Sequence, residues 1–439
     1  MNLQSSRNYD LQAAVLEAEQ RFATANAKSR GNYEAACAVM PGGNTRTVLF
    51  YAPFPLTIAR GEGCYVTDLD GHSYMDFLGE YTAGLYGHSN PVIKKAIVEG
   101  LDRGIVLGGQ NETEVKLATL VAKRWGMDRL RFTNSGTEGN LLAINAARAY
   151  TKRSKIMGFD GGYHGGVLSM RDSGSPTNVP YDIVLAKYND IPGTKALIEK
   201  HAKDLACVIL EPMMGGAGCL PADKAFLDML RAETTKHGML LVLDEVVTSR
   251  LAPGGAQEIY GVKPDLMSFG KYIGGGLSFG GFGGKAEIMD NFDPRRKDAW
   301  PHAGTFNQNQ LTMSAGYAGL SQVYTPEVCR AFNAKGDQFR ARLQAIAKKS
   351  GLPIVITGMG STQTVHFTRL SEVRTPDDAA KGNSLGKDLL QLDMMARGIY
   401  MTRRGMINMS LPMGDKEFDA YAKAWEGFLS DRANVLDKI

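Results

Sequence analysis

The sequence predicts an α/β protein, a mainly parallel sheet covered by helices on both faces, joined to a smaller α+β unit. Three observations carry this. From about Arg129 onward, short apolar runs alternate with helix-period patterns, as successive strand–helix–strand units require. Beyond about Thr325 the texture shifts to long helical patterns with a few short strand-like runs. Finally, 44% hydrophobic and 22% charged residues in a chain of 439 is an ordinary globular mix, enough for a sizeable core and two to three structural units.

Taken in order, residues 11–27 place Leu11, Ala14, Val15, Ala18 and Phe22 on one face, as in an amphipathic helix, and read as a docking arm. Residues 56–78 carry short apolar segments broken by Gly61, Gly63 and Asp70-Gly71, which predicts hairpins. Runs at 129–133, 155–159, 206–210, 239–243 and 265–269 predict strands, with helices over 140–150 and 224–237 between some of them. A long helix around 332–349, strands near Ile354 and Val365, a helix after Asn383 and a closing helix complete the chain. The expected division is 1–85 as arm and β meander of the small domain, 86–325 as the large domain, and 326–439 as the C-terminal part of the small domain.

Composition excludes several classes of function. Fifty Lys+Arg against 46 Asp+Glu leave a charge of +4 without long runs of one sign, too little for a nucleic-acid surface. The five cysteines are widely spaced with no Cys-x-x-Cys pair, and none of the seven histidines lies three or four residues from another. Disulfide frameworks and helical His-pair metal sites are therefore poorly supported. Met1 to Arg7 lacks an apolar leader core, and no apolar run is long enough for a membrane span. The expectation is a cytoplasmic protein without a membrane or nucleic-acid partner. Glycine stands out: 51 residues cluster in short loops, which suggests tight turns and backbone pressed against a ligand.

Three motifs carry chemistry. Thr133-Asn134-Ser135-Gly136-Thr137-Glu138 follows a predicted strand and opens a helix, where N–H groups and the helix dipole favour a phosphate. Alone it reads sooner as an ordinary helix cap. Leu240 to Val246 is an apolar strand ending in Asp244 and Glu245, at the strand end where open α/β sheets bind ligands. Strand 266–270 delivers Lys271 into Gly274-Gly275-Gly276, a setting that can desolvate the amine and make it nucleophilic toward carbonyls. Together these are the groups that pyridoxal phosphate needs: an amine for its aldehyde, an acid for its ring nitrogen and a cradle for its phosphate.

Asn134-Ser135-Gly136-Thr137-Glu138, Gly161-Gly162-Tyr163-His164-Gly165, Glu211-Pro212, Asp244-Glu245-Val246, Gly270-Lys271 and Gly304-Thr305-Phe306 resemble, in order and spacing, the class III aminotransferases of fold type I. The resemblance runs from about Met40 to Pro412 and implies a large domain with a seven-stranded sheet that binds pyridoxal 5'-phosphate. It implies that Lys271 binds the cofactor aldehyde, Asp244 pairs the pyridinium, Tyr163 stacks on the ring and Val246 packs on the other face. Ser135, Gly136 and Thr137 would hold the phosphate. Thr305 would reach the phosphate of the neighbouring subunit's cofactor, in a homodimer with shared active sites.

Met40-Pro41-Gly42-Gly43, Arg60-Gly61-Glu62-Gly63 and Asp68-Leu69-Asp70-Gly71-His72 look like the subgroup of glutamate-1-semialdehyde aminomutases and β-phenylalanine aminotransferases. Thr45 to Pro55 and Arg404-Gly405 ahead of Met409-Ser410-Leu411-Pro412 favour the latter, and so does Phe306-Asn307-Gln308-Asn309 in place of a Gly-Asn-Pro segment. The function expected is ping-pong transfer of an amino group between an aromatic β-amino acid and an α-oxo acid, with Arg46 and Arg404 reading carboxylates. The alternative is aminomutase or other isomerase chemistry on the same cofactor. Two residues depart from the family: Gly139 stands where alanine is common, and Arg403 stands where the β-phenylalanine enzymes have proline, leaving open which arginine meets substrate.

Overall fold

The structure, a computed structural model, describes residues 11–171 and 174–439; the Met1 to Arg7 segment read above lies outside them. The first helix, Leu11–Ala25, buries Ala14, Val15, Ala18 and Phe22, the face its periodicity predicts. Its Phe22 shares one core with Leu389, Trp425 and Phe428 near the other end of the chain. Asp393 fixes the junction, accepting from Arg21 at 2.5 Å and from Arg432 at 2.7 Å.

Strands β1 (Ile58–Glu62), β2 (Tyr65–Asp68) and β3 (Ser73–Asp76) form an antiparallel meander. The central sheet follows: β4 (Arg129–Thr133), β5 (Lys155–Phe159), β6 (Ile183–Ala186), β7 (Leu205–Leu210), then, beyond the short hairpin β8 (Met213–Met214) and β9 (Leu220–Pro221), β10 (Leu240–Asp244), β11 (Leu266–Gly270) and β12 (Gly280–Gly284). Its seven strands lie in the order β4-β12-β11-β10-β7-β5-β6. β13 (Ile354–Met359), β14 (Thr362–Phe367) and β16 (Met406–Asn408) build an antiparallel sheet, while β15 (Ile399–Tyr400) pairs in parallel with β3 of the N-terminal meander.

Pairings among β6, β5, β7, β10 and β11 are parallel, and β12 is antiparallel to both of its neighbours. Four glycines in five residues make β12 look like loop in the sequence. The structure requires them: a Cβ at Gly280 would lie 2.0 Å from Ser135 O, and one at Gly281 would lie 2.4 Å from the Phe269 ring. Gly139 answers to the same strand, because a Cβ there would sit 2.5 Å from Gly281 O. Helix Gly136–Thr151 therefore rests directly on the β12 backbone. Thr133, Asp244 and Gly270 end their strands on one edge of the sheet, the edge at which such sheets take ligands.

Candidate active site

Asp244 and Glu245 are adjacent in sequence but do different work. Asp244 is 3% exposed, and its Oδ2 accepts from Asn140 Nδ2 at 2.8 Å and meets His164 Nδ1 at 2.8 Å. Among the described residues its Oδ1 accepts only the Val246 N–H, at 3.0 Å. Glu245 instead accepts from Thr248 Oγ1 at 2.7 Å and from the N–H groups of Ala256 and Gln257 at 2.9 and 2.7 Å. Burial pushes the Glu245 carboxyl up to about 7, against those three bonds. One strand-end acid thus faces the site, and the other anchors the helix Ala256–Tyr260.

Lys271 follows β11 with φ 54. A left-handed lysine is sterically unfavourable, and it stands at the head of the short turn Lys271–Gly274. Its amine makes no hydrogen bond or ion pair among the described residues. Burial lowers its pKa, opposed by the charges of Asp244, Glu211 and Glu80. Glu211 closes this wall, accepting the Tyr163 N–H at 3.0 Å and the Gly215 N–H at 3.0 Å. Burial raises its pKa first and the Asp244 charge second.

The phosphate-loop residues converge on the same place. Ser135 caps helix Gly136–Thr151, accepting the Glu138 N–H at 3.2 Å. A Cβ on Gly136 would lie 2.7 Å from Val246 Cγ2, and one on Gly165 would lie 2.3 Å from Thr137 Oγ1. Gly165 also has φ +125, so only glycine fits this close approach without strain. Tyr163 is 47% exposed. Thr305 is exposed as well, on a loop held to the cradle where Asn134 Nδ2 donates to Asn307 Oδ1 at 3.0 Å. Thr305 makes no contact with the other expected site residues among the hydrogen bonds described.

Arg46 and Arg404 are brought to neighbouring residues of one turn. Arg46 pairs with Glu80, and the Arg404 guanidinium lies 5.6 Å above the Tyr81 ring. Gly79, Glu80, Tyr81 and Thr82 all have positive φ, at 53, 45, 51 and 82. Three non-glycine residues in succession there are unusual, since each left-handed residue costs about 1–2 kcal/mol. Asp76 Oδ1 stabilises the entry by accepting the N–H groups of Leu78 and Gly79, both at 3.0 Å. Arg403 turns away, bonded to both oxygens of Asp388 at 2.6 and 3.1 Å.

Sequence reasoning assigned no role to His164, Asn140 or Glu211, three buried polar residues that hold the wall of the site. His164 and Glu211 lay within quoted motifs, but only the folded geometry joins His164 to Asp244. Asn140 carried no sequence signal, since the helix pattern around it also holds Asn145 and Arg148.

The chain matches the family model for aminotransferase class-III over residues 50–410, and it belongs to that family. It is 47% identical over 426 residues to the beta-phenylalanine transaminase of Variovorax paradoxus, covering 97% of this chain and 98% of that one. The crystal structure of the beta-phenylalanine aminotransferase from that organism superposes with a TM-score of 0.95 over 97% of this chain and 99% of that one. A transaminase with PLP bound is 33% identical, with a TM-score of 0.85 over 94% and 99% of the two chains. Glutamate-1-semialdehyde aminomutase from Pseudomonas aeruginosa PAO1 is a distant neighbour at 24% identity, with a TM-score of 0.88 over 96% and 98% of the chains. That likeness extends to the fold only.

The protein is thus a class III aminotransferase, and its cofactor is pyridoxal phosphate. The residues present fit that group. A half-buried amine that makes no hydrogen bond or ion pair among the described residues can take the aldehyde, Asp244 Oδ1 retains acceptor capacity for a ring N–H, and the glycine-lined helix start can take the phosphate.

Proposed function

We propose that this aminotransferase accepts aromatic β-amino acids such as β-phenylalanine as donors and α-oxo acids as acceptors, reading their carboxylates with Arg46 and Arg404. The observation that carries this is the convergence of the two arginines on Glu80 and Tyr81, beside Lys271. The carboxylates of a β-amino acid and an α-oxo acid lie one carbon apart relative to the reacting carbon, so two cationic stations suit one site serving both. Arg404 is the better placed of the adjacent pair, because Arg403 is held by Asp388.

Pyridoxal phosphate, when bound, supplies an electron sink that acidifies the carbon bearing the amino nitrogen. Asp244 keeps a proton at the ring nitrogen, with Asn140 and His164 holding the carboxylate in place. Burial shifts Lys271 toward its neutral amine, the form able to accept and return a proton as general base and acid. Ser135, Gly136 and Thr137 would hold the phosphate, and Val246 and Tyr163 would flank the ring.

The working unit in this reading is a homodimer with Thr305 completing the neighbour's phosphate site. Ile105, Val106, Leu107, Val115 and Phe306 are large apolar side chains left exposed on the single chain, and a second copy would cover surface of this kind. No helix among the described residues is long and apolar enough to cross a membrane. The five free cysteines suit the reducing cytoplasm we assign to it. The division at residues 85 and 325 is retained, with the packing of helix Leu11–Ala25 against Ser384–Met395 in its support.

The test supplies β-phenylalanine with an α-oxo acid and follows both products. A free oxo acid formed in equal amount with the newly aminated acceptor supports transfer. Return of the amino group to the donor's own skeleton, or turnover with α-amino donors alone, would sink the proposal.

A further inference from the structure

Arg250 is fully buried and has no carboxylate partner among the described residues. Its Nη1 donates to Thr82 O at 3.1 Å, its Nη2 to Met409 O at 2.6 Å and its Nε to Ser361 Oγ at 3.1 Å. Its own carbonyl accepts from Tyr324 Oη at 2.6 Å and Asn333 Nδ2 at 2.8 Å, and its guanidinium lies 5.9 Å from the Phe332 ring. A cation taken from water without a counter-charge is strongly unfavourable unless its donors are satisfied. Here those donors join three chain segments that are remote in sequence.

One of the three is the left-handed turn. Thr82 ends it at φ 82, is fully buried, and its hydroxyl has no hydrogen-bond partner among the described residues. The bond from Arg250 to its carbonyl is therefore a direct polar hold on this last strained residue. Asn408 grips the other end, donating from Nδ2 to Leu78 O at 2.8 Å. Backbone held this far from its preferred region persists only where surrounding bonds over-determine it, and such places gather at functional sites.

We propose that Arg250 is a positioning residue that keeps the Gly79–Thr82 turn left-handed, and through it sets Glu80 against Arg46 and Tyr81 beneath Arg404. Carboxylate recognition on both sides of the site then depends on one buried guanidinium that touches neither substrate nor cofactor. This rests on the reading that Arg46 and Arg404 meet carboxylates. A relaxed turn would displace Glu80 and Tyr81 together, leaving Asp244 at the end of β10 and Lys271 just after β11.

The experiment compares Arg250→Lys with the parent holoenzyme, using an aromatic β-amino acid and an aromatic primary amine without a carboxylate. A lysine keeps the charge but cannot span all three acceptors. KM for the β-amino acid should rise about tenfold while kcat/KM for the amine stays within about twofold, the signature of lost binding without lost chemistry. Adding Thr82→Gly should recover part of the loss, because glycine takes a positive φ without strain. An equal fall for both substrates, no fall, or no recovery in the double variant would overturn the proposal. Should Arg250→Lys yield no folded holoenzyme, Ser361→Ala removes a single acceptor and should give the same split at about threefold; a uniform change there counts against it. Arg404→Ala, run in parallel, separates the two ideas. If it shows no split, the carboxylate reading fails; if it does and Arg250→Lys does not, the positioning role fails alone.

Discussion

His164 Nδ1 lies 2.8 Å from Asp244 Oδ2, and both side chains are buried, so the acid at the strand end is held by an imidazole from the glycine loop. Asn140 holds the same oxygen at 2.8 Å. His164→Ala removes one of two clamps and leaves the other. A hydrogen bond to a charged group contributes about 1.5–3 kcal/mol, and part of it survives through Asn140, so kcat should fall about tenfold. Asp244→Asn, which removes the charge, should fall further, by roughly ten- to a hundredfold. Steady-state kinetics on cofactor-saturated variants check both, and an unchanged kcat for His164→Ala would show that the contact is packing alone.

The site was legible where chemistry and position coincide in sequence. Asp244, Lys271 and the Ser135–Thr137 loop each follow an apolar strand, so topology alone sends them to one edge of the sheet. Strand bounds were read to within a residue at β7, β10 and β11, because continuous apolar runs mark strands buried on both faces. β6 and β12 escaped: the first is short and partly exposed, and the second replaces side chains with glycines wherever neighbouring backbone crowds it. The Gly79–Thr82 turn escaped too, since Glu80, Tyr81 and Thr82 carry no local preference for positive φ. A local bond from Asp76 and tertiary bonds from Asn408 and Arg250 impose it.

Lys271→Ala should leave the fold intact and abolish transfer. The residue contributes no hydrogen bond or ion pair to the folded chain among the described residues, and its burial disfavours the charged amine. Removing it takes away the proton carrier, an effect of about 10²- to 10⁴-fold by general acid–base arguments alone. Thermal stability near the parent's with turnover at background supports the role. Near-parental turnover rules it out.

Arg404→Ala should weaken carboxylated donors and acceptors by about ten- to a hundredfold, because a bidentate guanidinium–carboxylate contact is charge-assisted. An aromatic amine lacking a carboxylate should lose much less. Arg46→Ala should instead change the ratio of activities on β-amino acids and α-oxo acids, whose carboxylates sit one carbon apart. Comparing kcat/KM across the three substrate types checks this. A uniform drop points to damaged cofactor geometry instead of specificity.

Lys387 gives a prediction about stability. It lies in helix Ser384–Met395, packed near Gly405, and makes no hydrogen bond or ion pair among the described residues. Burial, with the Arg404 charge adding to it and Cys219 opposing, pushes its amine from the usual 10.5 down to about 8. The unfolded chain keeps the proton up to pH 10.5 while the folded chain releases it near 8. Below the folded value both states are charged, and the penalty of holding the ammonium is present in full. Between the two values the folded amine is neutral, so stability attributable to this group rises with pH until the unfolded chain also loses its proton. Lys387→Met, which keeps the stem and removes the charge, should therefore stabilise the protein at pH 7 by about 1–3 kcal/mol, the lower end allowing for partial solvation. The gain should shrink progressively as the pH is raised from 8 toward 10.5. Denaturation midpoints of parent and variant, taken in pairs at neutral and alkaline pH, measure the difference directly. A gain of the same size at both, or a loss at neutral pH, would show that the folded protein already compensates this ammonium.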